Sequence, residues 1–255
     1  MPKRIQALTR VVAMTAALIG ANSVSAQPVY TVGATATGIP FTFLDIKTQR
    51  IQGMMVDAVE AIGKAGGFDT EIQQNTFAAL IPSLTSNKID LISAAMLKTP
   101  EREKVVQYSD PIYRYGEGLI VHVDDATKYQ NMADLAGEVV GAQVGTVFID
   151  ALNKHGGFKD VRSYDSIPDM LQDIKLGRIK AAFADRPIVM YQMATHKRLG
   201  KDVKVSDTYV PVVMGDVCIV MRQNDPQRLA KVNAGIAAIK NDGSLQRIIE
   251  KWNLN

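Results

Sequence analysis

The chain of 255 residues contains one cysteine and three histidines, and each scarcity closes off a class of function. Cys218 has no second cysteine to pair with, so no intramolecular disulfide holds the fold. It sits in the run DVCIVM, which reads as a buried strand, and a buried thiol among apolar neighbours is an inert core residue rather than a nucleophile. His122, His155 and His196 stand at no metal-ligand spacing, and a zinc site is not expected. No basic stripe and no basic–aromatic cluster is present, so the chain offers no nucleic-acid surface. The formal charge of +3 also has a local origin. Lys3, Arg4 and Arg10 account for it, and without them 26 basic residues face 26 acidic ones.

Those three cations open a leader. They precede the apolar run VVAMTAALIG with no acid among them, and Val24-Ser25-Ala26 places small residues where a signal peptidase reads. Residues 1–26 are therefore expected to be a signal peptide cleaved after Ala26. The apolar run is too short to span a bilayer, and Asn22, Ser23 and Ser25 follow it at once. No cysteine stands at the cleavage point, which argues against a lipid anchor. An exported, soluble, periplasmic protein of 229 residues is expected, 255 less the leader of 26, enough for one large or two modest domains.

Beyond the leader, strands and helices alternate, which predicts an α/β protein with mostly parallel strands. VYTVGAT (29–35) reads as the first strand. A helix near 56–65 carries Val56, Val59 and Ile62 on one face and ends at Gly66-Gly67. A short helix around 79–86 precedes the strand IDLISAA (89–95). In the second half EVVGAQ (138–143) is a strand, and a helix opens at Gly145-Thr146 and closes at Gly156-Gly157. Ser166 caps a helix running to Leu176, KAAFA (180–184) is a strand, and Asp185-Arg186-Pro187 starts another helix. VCIVM (217–221) is the last strand. The closing helix, from Pro226 to about Asn241, has Leu229, Val232, Ile236 and Ile239 as its apolar stripe.

The segment from Ala94 to Pro111, AAMLKTPEREKVVQYSDP, carries the most local information. Thr99 can cap a helix, Pro100 suits its first position, and Arg102 then lies in the first turn. A guanidinium fork beside backbone N–H groups matches a carboxylate in two parallel hydrogen bonds. A solvated arginine flanked by Glu101 and Glu103 is the competing reading. An internal echo bears on the choice. NKIDLISA (87–94) and GRIKAAFA (177–184) each run from a turn through a basic residue and an isoleucine into an apolar strand. Arg102 follows the first and Asp185 the second. Ligands bind beyond the carboxyl ends of parallel strands, so two such units facing each other would offer a cation and an anion to a zwitterion.

The chain resembles the family 3 periplasmic solute-binding proteins, the polar amino-acid-binding components of ABC importers, over essentially all of residues 27–255. The likeness is carried by VGATATGIPFTF (32–43), RIQGMMVDAVEAI (50–62), LIPSLTSNKIDLISAAM (80–96) and TPEREKVVQYSDPI (99–112). It continues through LAGEVVGAQVGT (135–146), LGRIKAAFAD (176–185) and DGSLQRIIEKWN (242–253). The resemblance implies a two-lobed periplasmic binding protein fold of type II, with two hinge strands and a ligand cleft between the lobes. It implies a first lobe from 27–111 and 216–255, a second lobe from 118–208, and hinges at 112–117 and 209–215.

By position, the resemblance makes Arg102 the grip on an α-carboxylate and Asp185 the acid that holds an α-ammonium. Phe77 becomes an aromatic wall and Ala95 a carbonyl acceptor for the ammonium. Thr146 and Val147 become a helix-opening turn whose N–H groups favour a carboxylate, and Gln143 a reader of the ligand's tail. Two positions depart from the family pattern. Leu97 stands where Ser or Thr is usual, and Gly38 where Tyr or Phe is usual, which suggests a wider pocket, with Tyr113, Tyr115 and Met214 as candidates to refill it. Lys180 replaces an acid and reads as a structural exchange. The implied function is capture of an amino-acid-like zwitterion by a monomer that delivers it to a membrane permease, with no cofactor, no metal and no catalytic residue. An enzyme on the same fold, similar to cyclohexadienyl dehydratase, is the alternative.

Overall fold

The computed structural model describes residues 27–195 and 201–254; the expected leader and His196 lie outside the described residues. The chain opens with β1 (Val29–Ala34), then a small antiparallel sheet of β2 (Thr37–Gly38), β3 (Thr42–Asp45) and β4 (Arg50–Gln52). Helix α1 (Met54–Gly66) follows and buries Met55, Val59 and Ile62, the three-to-four spacing of a core-facing stripe. Gly67 closes it in the left-handed region at φ 75° and returns its N–H to the Gly63 carbonyl. The expected end at Gly66-Gly67 is therefore observed.

Next come β5 (Asp69–Gln74), a 3₁₀ turn at Phe77–Ala79, α2 (Leu80–Thr85) and β6 (Leu91–Ile92). The strand expected over 89–95 is cut to two residues, and Ala95, at its expected end, has a positive φ of 53° that no strand permits. A one-turn helix α3 (Pro100–Glu103) and β7 (Val106–Tyr108) complete this stretch. The strand β8 (Tyr113–His122) then carries the chain into a second sheet. There β9 (Val139–Gln143), α4 (Val147–His155), β10 (Asp160–Tyr164), α5 (Ile167–Lys175), β11 (Ala181–Asp185), α6 (Arg186–Thr195) and β12 (Val203–Val205) follow. The chain returns through β13 (Met214–Val217) and β14 (Val220–Arg222) to α7 (Pro226–Asn241) and α8 (Ser244–Lys251).

Besides the small β2–β3–β4 sheet, two larger sheets result, and with them two lobes. One has the order β5–β1–β6–β14–β7, the other β10–β9–β11–β8–β12, with β13 paired to the start of β8. The expectation of mostly parallel strands is corrected. Strand–helix–strand crossovers give parallel ladders at β1–β5, β1–β6, β9–β10 and β9–β11. Wherever the chain crosses between sheets it re-enters in the opposite sense. Thus β8 runs antiparallel to β11, β12 and β13, and β14 runs antiparallel to β6 and β7.

Glu117 braces the crossing. Its fully buried carboxylate accepts from the Tyr209 hydroxyl at 2.9 Å and from the Val212 and Val213 N–H groups at 2.8 and 2.6 Å. Burial pushes its pKa up, and those three donors pull against the rise. Lys180, read as a structural exchange, pairs with Asp125 at 2.9 Å on the second lobe. Cys218 is buried, and its thiol is pushed up to about 12 by burial, in keeping with a core role.

Candidate functional site

The lobes face each other where the ends of β6, β9 and β11 meet. Thr99 accepts from the Arg102 N–H at 3.3 Å and Pro100 fills the first helical position, as the local sequence predicts. That bond uses the Arg102 N–H itself, so the arginine serves the cleft through its side chain. Its Nη1 donates to the Leu97 carbonyl at 2.7 Å, and its Nη2 reaches across the lobes to the Gly145 carbonyl at 2.9 Å. The guanidinium also lies 5.9 Å from the Phe77 ring centroid, a cation–π contact. Leu97 thus contributes its carbonyl where a hydroxyl was missed, and that carbonyl also accepts from the Tyr108 hydroxyl at 3.4 Å.

Across the cleft, Asp185 ends β11 and is nine-tenths buried. Burial raises its carboxyl to about 6, opposed by the neighbouring Tyr115 hydroxyl dipole and by the charge of Arg102. Tyr115 comes from β8 and donates to the Ala95 carbonyl at 2.8 Å. One lone pair of that carbonyl remains for a second donor. The positive φ of Ala95 is what places this carbonyl at the cleft rather than in a ladder.

Two small cavities mark the floor. One, of about 10 Å³, touches Phe77, Leu97, Arg102, Tyr115, Val147 and Asp185. Its neighbour, of about 20 Å³, touches Gly38, Phe77, Ala95, Gln143 and Asp185. The structure therefore gathers every sequence-predicted site residue around one point.

Several expected roles shift in detail. Thr146 commits its hydroxyl and its N–H to the Gln143 carbonyl at 2.6 and 3.2 Å, which leaves Val147 as the helix-opening N–H donor. Helix α4 begins at that residue, where first-turn N–H groups lack an intrahelical acceptor. Gln143 donates through Nε2 to the Asp165 carbonyl at 2.9 Å, which fixes the side chain on the cavity wall. Among the residues suggested to refill the pocket, Tyr115 lies in it and stacks on Phe41 at 5.6 Å. Tyr113 instead bonds the Leu254 carbonyl, and Met214 is exposed. Gly145 has φ 77°, and a Cβ there would meet the Ala78 Cα at 2.9 Å, so the lobes approach backbone to backbone at that point.

Sequence reasoning passed over Thr35, Gln192 and Glu117. Thr35 is buried and shares a 2.7 Å hydrogen bond with Thr42 beside the floor. A lone glutamine in α6 and a glutamate between two glycines give no local signal of their surroundings.

A profile described as bacterial extracellular solute-binding proteins, family 3, matches residues 30–255. The chain is 33% identical to ABC transporter arginine-binding protein 1 of Escherichia coli (strain K12) over 223 residues, covering 86% of this chain and 88% of that one. It is 27% identical to the L-cystine-binding protein TcyJ of the same organism over 237 residues, covering 91% and 85%. Among solved structures, an ancestral arginine-binding protein bound to glutamine superposes with a TM-score of 0.80 at 29% identity, covering 90% and 99%.

Proposed function

The chain belongs to the family 3 bacterial extracellular solute-binding proteins, and from that premise we propose that it captures an amino-acid zwitterion between its lobes and delivers it to the permease of an ABC importer. The observation that carries this reading is the pairing across the cleft. Arg102 reaches from one lobe to Gly145 on the other, and the buried Asp185 lies beside the same cavity.

A free carboxylate would replace the Leu97 and Gly145 carbonyls as the acceptor for Arg102. It is the better acceptor, because it brings the opposite charge and can take two parallel N–H bonds from the guanidinium fork. The Val147 N–H adds a second donor at the mouth of α4. The ammonium would sit between Asp185 and the Ala95 carbonyl. Each buried ion then meets its opposite, which removes the cost of leaving either one unpaired.

Capture requires the lobes to part and close again. We assign the motion to hinges at 112–117 and 209–215, between a lobe of 27–111 with 216–255 and a lobe of 118–208. The paired strands β8 and β13 would bend as a unit there. The protein acts as a monomer in the periplasm after loss of residues 1–26, with no nucleic-acid partner. The curated relatives are named as binding proteins, and the family is one of binding proteins, so the dehydratase alternative is set aside. Their names differ in the amino acid bound, and the chain's own residues have to specify the solute. A thermal-shift screen of L-amino acids on the mature protein tests the reading. At least one should stabilise it by several kcal/mol at saturating excess; a flat response across the panel would refute it.

A further inference from the structure

Beyond the cleft floor the same elements border a much larger, open space. A cavity of about 690 Å³ lies between the β2–β3 hairpin of one lobe and helices α5 and α6 of the other. It continues the floor. Thr37 borders both spaces; Ile167 borders the floor and its successor Pro168 the larger cavity; Ile188 borders the floor and Gln192, one turn on, the larger cavity. From Ile188 to Gln192 is about 6 Å along the helix axis, the reach of a chain of several atoms. The passage lies beside Gly38. A Cβ at that position would sit 3.5 Å from the Ile188 Cδ1, so any longer side chain there would enter the gap between the lobes.

The walls state what they would accept. Ile39, Phe43 and Leu171 make the stem of the cavity apolar. At its far side Gln192, only 6% exposed, borders the cavity with an amide that can both donate and accept. Lys175 and Asp202, at the rim, neutralise each other at 2.8 Å and so ask for no net charge.

We infer that the solute is an α-amino acid with an extended side chain, apolar along its stem and ending in an uncharged hydrogen-bonding group such as an amide. Its head group occupies the Arg102–Asp185 floor, its stem passes Gly38, and its tip meets Gln192. This rests on the reading of the floor given above, but it fails separately.

Calorimetry with Nε-acetyl-L-lysine and L-alanine on the mature protein tests it. The two probes share a head group and differ only in the tail. The acetylated probe should bind at least about a hundredfold tighter, as burial of several methylenes requires. Gly38→Tyr should weaken it at least tenfold. Gln192→Leu should also weaken it about tenfold, and circular dichroism checks that both variants fold. Equal affinity for the two probes, or an undiminished long probe in both folded variants, would overturn the tail passage and leave the floor intact. If the acetylated probe fails while a standard amino acid binds, the passage likewise falls alone. If neither probe nor any standard amino acid binds, both readings fall.

Discussion

Replacing Asp185 by asparagine is expected to strengthen the fold while removing its function. In the folded chain burial holds this carboxyl near 6, against 3.8 for a free aspartate. The folded state therefore grips the proton more tightly than the unfolded state does. The stability this contributes is fully present below about pH 4 and is lost as pH rises to about 6. Across that window the difference corresponds to about 3 kcal/mol at 1.36 kcal/mol per tenfold change in proton affinity. Asparagine has the same shape and no proton to lose. Urea denaturation, followed through the single Trp252, should show Asp185→Asn equal to the parent near pH 4 and about 3 kcal/mol more stable above pH 7. The same ionisation should govern binding. Affinity of the parent for an amino acid should fall about tenfold per pH unit below about 6, and the variant should bind weakly with no such slope. A stability difference that does not change between pH 4 and 7.5 would refute the reasoning.

Two further outcomes follow from the crossing strands and the lobe contact. Glu117→Ala removes the acceptor of the Tyr209 hydroxyl and two backbone N–H groups; calorimetric unfolding should show a loss of about 3 kcal/mol or more. Gly145→Ala puts a Cβ against the Ala78 backbone at a positive φ, so the lobes should close incompletely. Ligand affinity should drop by about tenfold or more, read by calorimetry, with a larger radius of gyration in X-ray scattering of the liganded protein.

Much of the site was legible because its signals are local. Thr99-Pro100 announces the turn that carries Arg102, and the echo between 87–94 and 177–184 points to Asp185 as its counterpart. The start and end of α7 match the expected Pro226 and Asn241, with Asp225 capping by accepting from the Arg228 N–H. What was not legible depends on residues far apart in the chain. Strand direction follows from where the chain re-enters a sheet, and no window of sequence records that. Helix α8 buries only one of its residues, Leu245, and so gives little core-facing signal. The role of Tyr115 depends on the positive φ of Ala95, and that of Glu117 on residues 209–213 folding back over it. Gln192 is distinguished only by the lobe opposite, which the pattern of α6 does not encode.

The central claim is that Arg102 grips a carboxylate between the lobes. The most direct measurement is a calorimetric titration of Arg102→Ala, beside the parent, with whichever L-amino acid stabilises the parent best. Loss of an ionic pair in a buried cleft should weaken binding by about a thousandfold, to no measurable heat at ordinary concentrations, with the variant still folded. A folded Arg102→Ala protein that binds within a few-fold of the parent would contradict the account.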